Sequence, residues 1–306
     1  MRRVTQIEQL EWLALGGGVS GAAVWRCDAD EKPVLAVRRW PDAIEARVIS
    51  NRRAWLARLA THTELVRAPV PLETNDPRWE ASPWVVGEPA GVGPASVEPS
   101  RETLRAVASG LAEWHAAARE IDGATRDCCD PFGEFVAAGA RAFHEANAVA
   151  GDAVFDPVRE LDRRLPPAVA AARKLARRHR GAALDRQTVH GDARPEHFLL
   201  SGGRLTGVID HGAIRRDTPL ADVARLAAEL DPDGGRLREA WLDAWEAATG
   251  DALDRPRMDA LEAIGAVRTA ANWRRWLAAG GPPGAKPGAV RARLAIVGRR
   301  LDRLCR

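Results

Sequence analysis

Two acids stand at the ends of short apolar runs in the second half of the chain, eighteen positions apart. They are Asp192, which ends Val189-His190-Gly191-Asp192, and Asp210, which follows the strand-like residues 205–209. Phosphoryl transfer needs one carboxylate to receive the proton of the acceptor hydroxyl and a second to hold the metal that neutralises the phosphates. Asp192 suits the first role and Asp210 the second.

The residues around both aspartates resemble the signature of the aminoglycoside phosphotransferase and choline kinase-like proteins. That signature runs His-Gly-Asp, then Asn five residues after the Asp, then Ile-Asp at the end of a strand. His190-Gly191-Asp192, Ile209-Asp210 and the later Asp222 match it, whereas His197 stands where the family usually has Asn. Three spaced elements in the same order argue against chance, although a lone His-Gly-Asp tripeptide would carry little information.

The resemblance implies a bilobal α+β fold like that of protein kinases, with a small antiparallel-sheet N-lobe and a larger, mainly helical C-lobe. It also implies ATP between the lobes, with Mg²⁺ bridging its phosphates to Asp210. Asp192 then orients the acceptor hydroxyl and takes its proton, and His190 supports the catalytic loop as a scaffold residue. Asp222 is expected to stabilise that loop through hydrogen bonds to its backbone.

The position of His197 leaves three alternatives open. The side chain supports a metal in a different way, contacts phosphate as a cation, or marks the loss of a second metal site. An imidazole is a poorer ligand for hard Mg²⁺ than an amide oxygen and suits softer divalent ions better. We therefore predict a metal site formed by Asp210 and His197, with Mn²⁺ considered beside Mg²⁺.

A glycine-rich segment near the start of the chain satisfies G-x-G-x-x-G, a pattern that two unrelated folds use. In a dinucleotide-binding fold the glycines open a helix and an acid follows about 20 residues later. Here residues 22–27 read as a strand, and arginines stand where the acid would be. A strand, glycine loop, strand and polar hairpin match a kinase phosphate-covering loop, with a plain Gly-rich hairpin as the alternative. The predicted ATP-binding residues of this loop are Gly16, Gly18, Ser20 and Gly21.

Two arginines end the strand predicted at residues 34–38. Arg38 stands where a kinase-like fold has its phosphate-binding lysine, and Arg39 is the competing candidate. Because side chains alternate along a strand, only one of the two can face the cleft. Glu45, in a helix predicted over residues 41–59, is the candidate partner of the strand cation. A solvated glutamate in the first turn of that helix is the alternative.

The end of the N-lobe is marked by a Gly/Pro stretch that follows two further predicted strands, at residues 69–72 and 82–89. Backbone groups around Val86 are predicted to meet adenine, as a kinase hinge does. We place the N-lobe at residues 1–88 and the C-lobe at residues 89–306, where helical periodicity takes over. A capping box at Thr5 and Glu8 also predicts a short N-terminal helix that runs to Leu13.

Composition describes an ordinary globular protein of 306 residues, 46% hydrophobic and 28% charged, which is long enough for two lobes. A net charge of +3 is too small to imply a nucleic-acid or anionic-membrane partner. The four cysteines fit neither a disulfide framework nor a metal site, and no stretch is apolar for the roughly 20 residues that span a bilayer. These features favour the cytoplasm, and they imply no obligate protein partner.

The predicted function is ATP-dependent phosphorylation of a hydroxyl on a small metabolite or antibiotic. The alternative is a nucleotide-binding pseudokinase without turnover, since Arg38 and His197 replace two usual kinase side chains. A protein kinase is disfavoured because the His-Arg-Asp, Asp-Phe-Gly and Ala-Pro-Glu motifs are all missing. A cationic aminoglycoside would need acids on the helical lobe, which could come from Glu229, Asp231, Asp233, Asp243 and Glu246.

Overall fold

The structure is a computed structural model, and it describes residues 10–15, 22–70, 72, 74, 76–91, 98–123, 127–138, 156–281 and 287–306. The predicted ATP-binding glycine loop, Gly16, Gly18, Ser20 and Gly21, lies outside the described residues, as do Thr5 and Glu8. Within the described part of the chain, a mixed α+β fold has an antiparallel sheet at its N-terminal end and helices over most of the remainder, as predicted.

The N-terminal sheet has four antiparallel strands in the order β1-β2-β3-β4. A tight turn joins β2 to β3, and its two central residues, Asp30 and Glu31, have φ of 49° and 61°. Two successive residues with positive φ match the right-handed twist of a hairpin, so this turn pairs Ala29 with Lys32. The register then shifts by one residue between Cys27 and Asp28. The strands are Glu11–Ala14 (β1), Ala23–Ala29 (β2), Lys32–Arg39 (β3) and Trp79–Pro83 (β4).

The predicted N-terminal helix is wrong for residues 11–14, which form β1. Trp12 lies opposite Cys27 on β2, and its ring meets those of Trp25 and Trp79 edge-on, at centroid distances of 5.9 Å and 6.1 Å. Pairing with β2 and contact with two tryptophans are long-range interactions. They override a helix signal that depends only on neighbouring residues.

Two of the predicted strands differ from the structure. Val70 makes an isolated bridge to Ala81, and the described residues of the range 69–72 form no named strand. The strand predicted at 82–89 is divided: β4 ends at Pro83, and a two-residue strand β5, Glu88–Pro89, pairs with a later strand. Residues 84–87 therefore connect the N-terminal sheet to the second part of the molecule. The predicted boundary at residue 88 stays a prediction.

Helices cover most of the chain after this connection. In α2 the side chain of Ser100 caps the first turn. Leu104, Val107, Leu111 and Trp114 recur at helical spacing in the sequence, which predicts an apolar stripe, and all four are buried. No described helix is both long enough and apolar enough to cross a bilayer. The described helices are Ala46–Leu59 (α1), Arg101–Asp122 (α2), Pro131–Ala137 (α3), Asp156–Arg178 (α4), Pro219–Leu230 (α5), Arg236–Thr249 (α6), Arg255–Ala278 (α7) and Pro287–Leu304 (α8).

Two small three-stranded sheets lie among these helices and carry the predicted site. One has the order β10-β7-β6 and the other β5-β8-β9, with every pair antiparallel. The main core extends from Leu56 and Leu59 of α1 through the helices to Leu301 of α8. The strands are Asp127–Cys129 (β6), Leu184–Val189 (β7), Phe198–Ser201 (β8), Arg204–Val208 (β9) and Arg215–Asp217 (β10).

Candidate active site

The segment between β7 and β8 carries the first predicted acid. Gly191 has φ of +78°, and a Cβ atom there would lie 2.1 Å from the carbonyl oxygen of Ala213, so glycine is required at this position. The carboxylate of Asp222, buried at the start of α5, accepts hydrogen bonds from the backbone N–H groups of His190 (2.8 Å) and Gly191 (2.9 Å). The predicted backbone hydrogen bonds of Asp222 are confirmed.

His190 lies in the interior, with 0% of its surface exposed. Its Nε2 is 2.9 Å from the carbonyl oxygen of Ile209. A carbonyl oxygen can only accept, so Nε2 carries the proton and donates it. The bond joins the segment of Asp192 to the segment of Asp210, as expected of a scaffold residue. Any part that His190 has in catalysis stays a prediction.

Asp192 is held by two arginines. Nε of Arg194 donates to its Oδ1 at 3.0 Å, and Nη2 of Arg225, from α5, bonds the same oxygen. Burial favours the neutral carboxyl, but the guanidinium groups of Arg225 and Arg194 outweigh it and lower the pKa of Asp192. Asp192 is therefore ionised at neutral pH, and its Oδ2 is not engaged by either arginine.

Neither arginine was assigned a role from the sequence, although both stand close to quoted motifs. Arg194 follows Asp192 by two residues, and Arg225 follows Asp222 by three. The proximity of Arg194 was a signal that could have been used. Arg225 had none, because its contact depends on how α5 packs against the catalytic loop.

His197 ends a short 3₁₀ turn, Pro195–His197, and is buried. Its Nδ1 lies 2.8 Å from the carbonyl oxygen of Asp192 and must donate to it. Burial lowers the pKa of His197, so the ring is neutral and Nε2 keeps a lone pair. That lone pair faces Oδ2 of Asp210 at 3.6 Å.

Asp210 adopts a left-handed backbone conformation, with φ of 58° and ψ of 57°, at the start of a second 3₁₀ turn, His211–Ala213. A non-glycine residue in this region is uncommon and marks a position where the side chain is needed. Burial would raise the pKa of Asp210, but the cation of Arg38, which also donates a hydrogen bond to this carboxylate, holds it well below its usual value. The carboxylate is thus charged.

Asp192, His197 and Asp210 each offer one ligand atom, and these atoms lie within 4.8 Å of one another. Two acceptors that face each other without a proton between them, His197 Nε2 and Asp210 Oδ2, are repulsive unless a cation binds there. A hydrogen bond from the far ring nitrogen, as His197 Nδ1 makes, is the usual way to orient a metal-binding histidine. These residues fit a divalent cation.

The structure distinguishes between the two candidate arginines of β3. Nη2 of Arg38 donates to Oδ1 of Asp210 at 2.8 Å, whereas Arg39 forms ion pairs with Asp42 at 3.0 Å and Asp76 at 3.4 Å. Arg38 lines a cleft next to the N-terminal sheet, and Arg39 does not. The prediction that only one of the two faces the cleft is confirmed.

Glu45 is placed differently from the expectation. It is exposed and stands just before α1, which begins at Ala46, and no ion pair among the described residues joins it to Arg38. The structure favours the alternative of a solvated glutamate at the start of the helix.

In place of Glu45, α1 directs a cation to this region. Arg52 is buried, lies 3.7 Å above the ring of Trp40 and approaches the carbonyl oxygen of Gly212 at 3.5 Å. The guanidinium group of Arg38 lies 4.7 Å from the same ring. Trp40 therefore holds two cations near the Asp210 segment through cation–π contacts. Sequence reasoning missed Arg52, because only the packing of α1 shows where it points.

A cleft of about 520 Å³ lies between the N-terminal sheet and the β5-β8-β9 sheet with the segments that adjoin it. Ala36 and Arg38 of β3 line one side, and His197, Leu199 and Asp210 line the other. The volume is within the range of small-molecule sites, roughly 300–1,000 Å³.

The connecting segment closes one end of this cleft through Trp84, Val85 and Gly87. Val86 is 70% exposed and does not line the cleft, and its carbonyl oxygen accepts a hydrogen bond from the hydroxyl of Thr206 at 2.6 Å. The predicted contact of the Val86 backbone with adenine therefore finds no support in this geometry, although its neighbours are suitably placed.

Residues 11–261 match the family model described as the phosphotransferase enzyme family (APH). Curated protein sequences give no significant match. A thermostable mutant of aminoglycoside phosphotransferase APH(4)-Ia is similar to this chain at 16% identity, with a TM-score of 0.61 over 99% of this chain and 98% of that chain. That enzyme is also known in a ternary complex with AMP-PNP and hygromycin B.

Two further solved structures share the fold. Macrolide 2'-phosphotransferase MphH from Brachybacterium faecium is 17% identical, with a TM-score of 0.57 over 95% of this chain and 92% of that chain. A choline/ethanolamine kinase family protein from Mesorhizobium loti is also 17% identical, with a TM-score of 0.54 over 97% and 92%. These likenesses show that the chain has the protein-kinase-like fold of aminoglycoside phosphotransferases.

Proposed function

Because the chain belongs to the phosphotransferase enzyme family, we propose that it transfers the γ-phosphoryl group of ATP to a hydroxyl group of a small molecule. The acceptor oxygen forms a bond to the γ-phosphorus, the bond between that phosphorus and the β–γ bridging oxygen breaks, and ADP leaves with the electron pair. The proton of the acceptor hydroxyl passes to Asp192. The observation that carries the proposal is the convergence of Asp192, His197 and Asp210, of which His197 and Asp210 line the 520 Å³ cleft.

Asp192 orients the acceptor through Oδ2, since Oδ1 is occupied by Arg194 and Arg225. A carboxylate with a lowered pKa is a weak base. This does not prevent the proposed role, because in a loose transition state the proton moves late and positioning contributes most of the catalysis.

Asp210 and His197 are the residues that would hold a divalent cation, Mg²⁺ or Mn²⁺. When bound, such an ion neutralises charge on the β- and γ-phosphates. Arg38 lies close to this metal-binding position, since it donates a hydrogen bond to Asp210. It could bind a phosphate oxygen there and would then give up its hydrogen bond to Asp210. Its guanidinium group is suited to bidentate phosphate recognition.

ATP fits the proposal through the cleft itself. Its adenine would lie near Trp84, Val85 and Gly87, and its phosphates near Arg38 and Asp210. The AMP-PNP complex of APH(4)-Ia supports nucleotide binding by this fold. The predicted contacts of Gly16, Gly18, Ser20 and Gly21 with the phosphates remain part of the proposal.

Isothermal titration with AMP-PNP tests the nucleotide site, in the presence of Mg²⁺, of Mn²⁺ and of EDTA. We expect metal-dependent binding in the wild type and loss of the metal dependence in Asp210→Ala. ADP release with a panel of hydroxylated small molecules tests transfer, and Asp192→Asn should lower kcat by about 10²–10⁴-fold while nucleotide affinity is kept. Absence of nucleotide binding under all three conditions contradicts the proposal.

The alternative of a pseudokinase gains no support from the comparisons, because the similar proteins with named activities are phosphotransferases or kinases. The proposed location is the cytoplasm. All four cysteines are free, including the exposed Cys128 and Cys305, which suits a reducing compartment.

A further inference from the structure

The five acids that the sequence offers for a cationic acceptor all bind groups of the protein itself. Asp233 is within 4.0 Å of Arg299 and 3.5 Å of Arg306, and Asp243 and Glu246 pair with Arg255 at 2.8 Å and 3.0 Å. Asp231 accepts a hydrogen bond from the backbone of Leu237, at the start of α6. The fifth acid, Glu229, is buried and paired with Arg293 and Arg300.

Glu229 is the centre of an arginine cluster, by which we mean Arg194, Arg225, Arg293 and Arg300. Arg293 bonds its Oε2 at 2.6 Å and Arg300 its Oε1 at 3.0 Å, both from α8. Nη2 of Arg225 lies 4.0 Å from the carboxylate of Glu229 and also forms an ion pair with Asp192. The cluster therefore begins at the proposed catalytic carboxylate and continues along α5 toward α8.

The cluster carries more positive than negative charge. Within ion-pair distance its four guanidinium groups meet three carboxylates, those of Asp192, Glu196 and Glu229, which is one fewer than the cations. Glu262 attracts Arg300 from farther away. Burial lowers the pKa of Arg293 and brings that of Arg300 to about 10, in spite of the attraction of Glu229. Charges buried this deeply are costly unless an opposite charge accompanies each.

Several donors of the cluster also lack a partner. Nε of Arg225 has no hydrogen-bond partner among the described residues. The same is true of two nitrogens, Nε and Nη2, in both Arg293 and Arg300. The side chain of Arg300 is only 3% exposed, whereas 13% of Arg293 reaches solvent. Buried donors without partners are rare and indicate a bound ion or water.

The cluster contacts Asp192 without lining the nucleotide cleft. That cleft is lined by Asp210, His197 and Glu196, but not by Asp192 or by any member of the cluster. Arg194 and Arg225 both form ion pairs with Asp192. Under the proposed function the acceptor also meets Asp192, so it comes close to these arginines.

We propose that the acceptor carries an anionic group, a carboxylate or a phosphate, which Arg293 and Arg225 bind while Asp192 receives the hydroxyl. This inference rests on the proposed function and specifies its substrate class. It excludes polycationic aminoglycosides, since their ammonium groups would face uncompensated guanidinium groups. Arg194 and Arg225 then have two roles, holding Asp192 and attracting the acceptor.

Anion binding is tested directly by isothermal titration of protein saturated with AMP-PNP and Mn²⁺, so that the nucleotide site is filled. The titrants are inorganic phosphate and malonate, which separate the two anion types, with glucose as the neutral control. We expect one of the anions to bind in the millimolar range and Arg293→Gln to weaken it about tenfold or more. Arg299→Gln is the matched control, because Arg299 lies on the same helix, is 53% exposed and faces Asp233.

Arg293→Lys keeps a positive charge and should retain part of the affinity, which guards against a variant that simply fails to fold. The metal-dependent binding of AMP-PNP by every variant reports that the nucleotide site is intact. If neither anion binds to AMP-PNP-saturated wild type, or if Arg293→Gln weakens the nucleotide instead, the anionic acceptor is ruled out.

An assay of ADP release provides the second test of the anionic acceptor. Glucose, glucosamine, gluconate and glucose 6-phosphate present hydroxyl groups on related scaffolds with different charges. ADP release should be higher with an anionic member, fall with added salt, and show a raised KM in Arg293→Gln with a smaller change in kcat. Turnover of glucosamine or of an aminoglycoside above the anionic compounds overturns this inference and leaves the proposed function standing. Loss of nucleotide binding would remove the proposed function itself.

Discussion

Nε2 of His197 faces Oδ2 of Asp210 across 3.6 Å, and neither atom carries a proton at neutral pH. The hydrogen bond from Nδ1 of His197 to the backbone of Asp192 fixes which ring nitrogen is free. A nitrogen ligand combined with a carboxylate differs from the all-oxygen environment that Mg²⁺ prefers. Metal preference is therefore a property that this pair should control.

We expect His197→Asn to reduce the preference for Mn²⁺ over Mg²⁺. Imidazole suits the softer ion, so the wild type should bind Mn²⁺ about tenfold more tightly in the presence of AMP-PNP, and an amide oxygen should reduce that ratio. Titration of each metal into AMP-PNP-bound protein measures both affinities. Asp210→Asn, the control, should weaken both ions, and an unchanged ratio in His197→Asn would exclude Nε2 as a ligand.

Adjacent arginines of β3 allow a matched comparison. Arg38→Gln should raise the Kd for AMP-PNP by about 10–100-fold, because a charged hydrogen bond contributes roughly 1.5–3 kcal/mol. Arg39→Gln removes the same charge one residue further along the strand. Among the described residues, the ion pairs that it breaks are those with Asp42 and Asp76. Its Kd should change less than about threefold. Equal effects of the two variants would mean that net charge, not the position of Arg38, attracts the nucleotide.

Gly191 offers a test of how tightly the catalytic loop is held. In Gly191→Ala the new methyl group would meet the Ala213 carbonyl in addition to the strain of a positive φ, so unfolding in urea should show a loss of roughly 3 kcal/mol or more. Gly250 has nearly the same φ, +77°, at the end of α6, but open space where a Cβ would be. Gly250→Ala should cost only about 1 kcal/mol. Similar losses in both would show that the loop relaxes around the methyl group.

Stability at acid pH should depend on Glu229. The arginines lower its pKa from 4.5 to about 2 against the opposing effect of burial. A carboxyl whose pKa falls on folding stabilises the native state above its unfolded pKa, and this contribution is lost as the pH decreases from about 4.3 to 2.

Glu229→Gln should consequently lower the free energy of unfolding at pH 7 by roughly 3 kcal/mol, with less difference from the wild type near pH 2. Urea titrations across this pH range measure the effect. Glu246→Gln, which removes a more exposed partner of Arg255, should change stability by less than about 1 kcal/mol. If the loss of unfolding free energy in Glu229→Gln does not change with pH, its cause is packing and not charge.

The parts of the site that the sequence predicts well depend on the family signature or on one regular strand. The contact of Asp222 with the His-Gly-Asp segment spans 31 and 32 residues, and the resemblance predicts it. Alternation along β3 separates Arg38 from Arg39. Helix positions in the C-terminal part follow from the period of apolar residues, which is why the stripe on α2 is buried as expected.

What the sequence could not predict depends on contacts between distant elements. Arg52 and Arg225 reach the site only because α1 and α5 pack at particular angles, and no local pattern encodes those angles. Trp12 carries a helix-like signal but belongs to a strand, because the rings of Trp25 and Trp79 are available only after the sheet forms. Tertiary contacts outweigh local propensity in both cases.

The bond between Arg38 and Asp210 spans 172 residues of chain and joins β3 to the loop that would bind metal. Before nucleotide arrives, each side chain satisfies the other's charge. A phosphate that attracts Arg38 leaves the carboxylate free for a cation, and a cation that occupies the carboxylate releases Arg38. Under the proposed function, nucleotide and metal therefore bind cooperatively, and thermodynamic reciprocity requires each to raise the affinity of the other by the same factor.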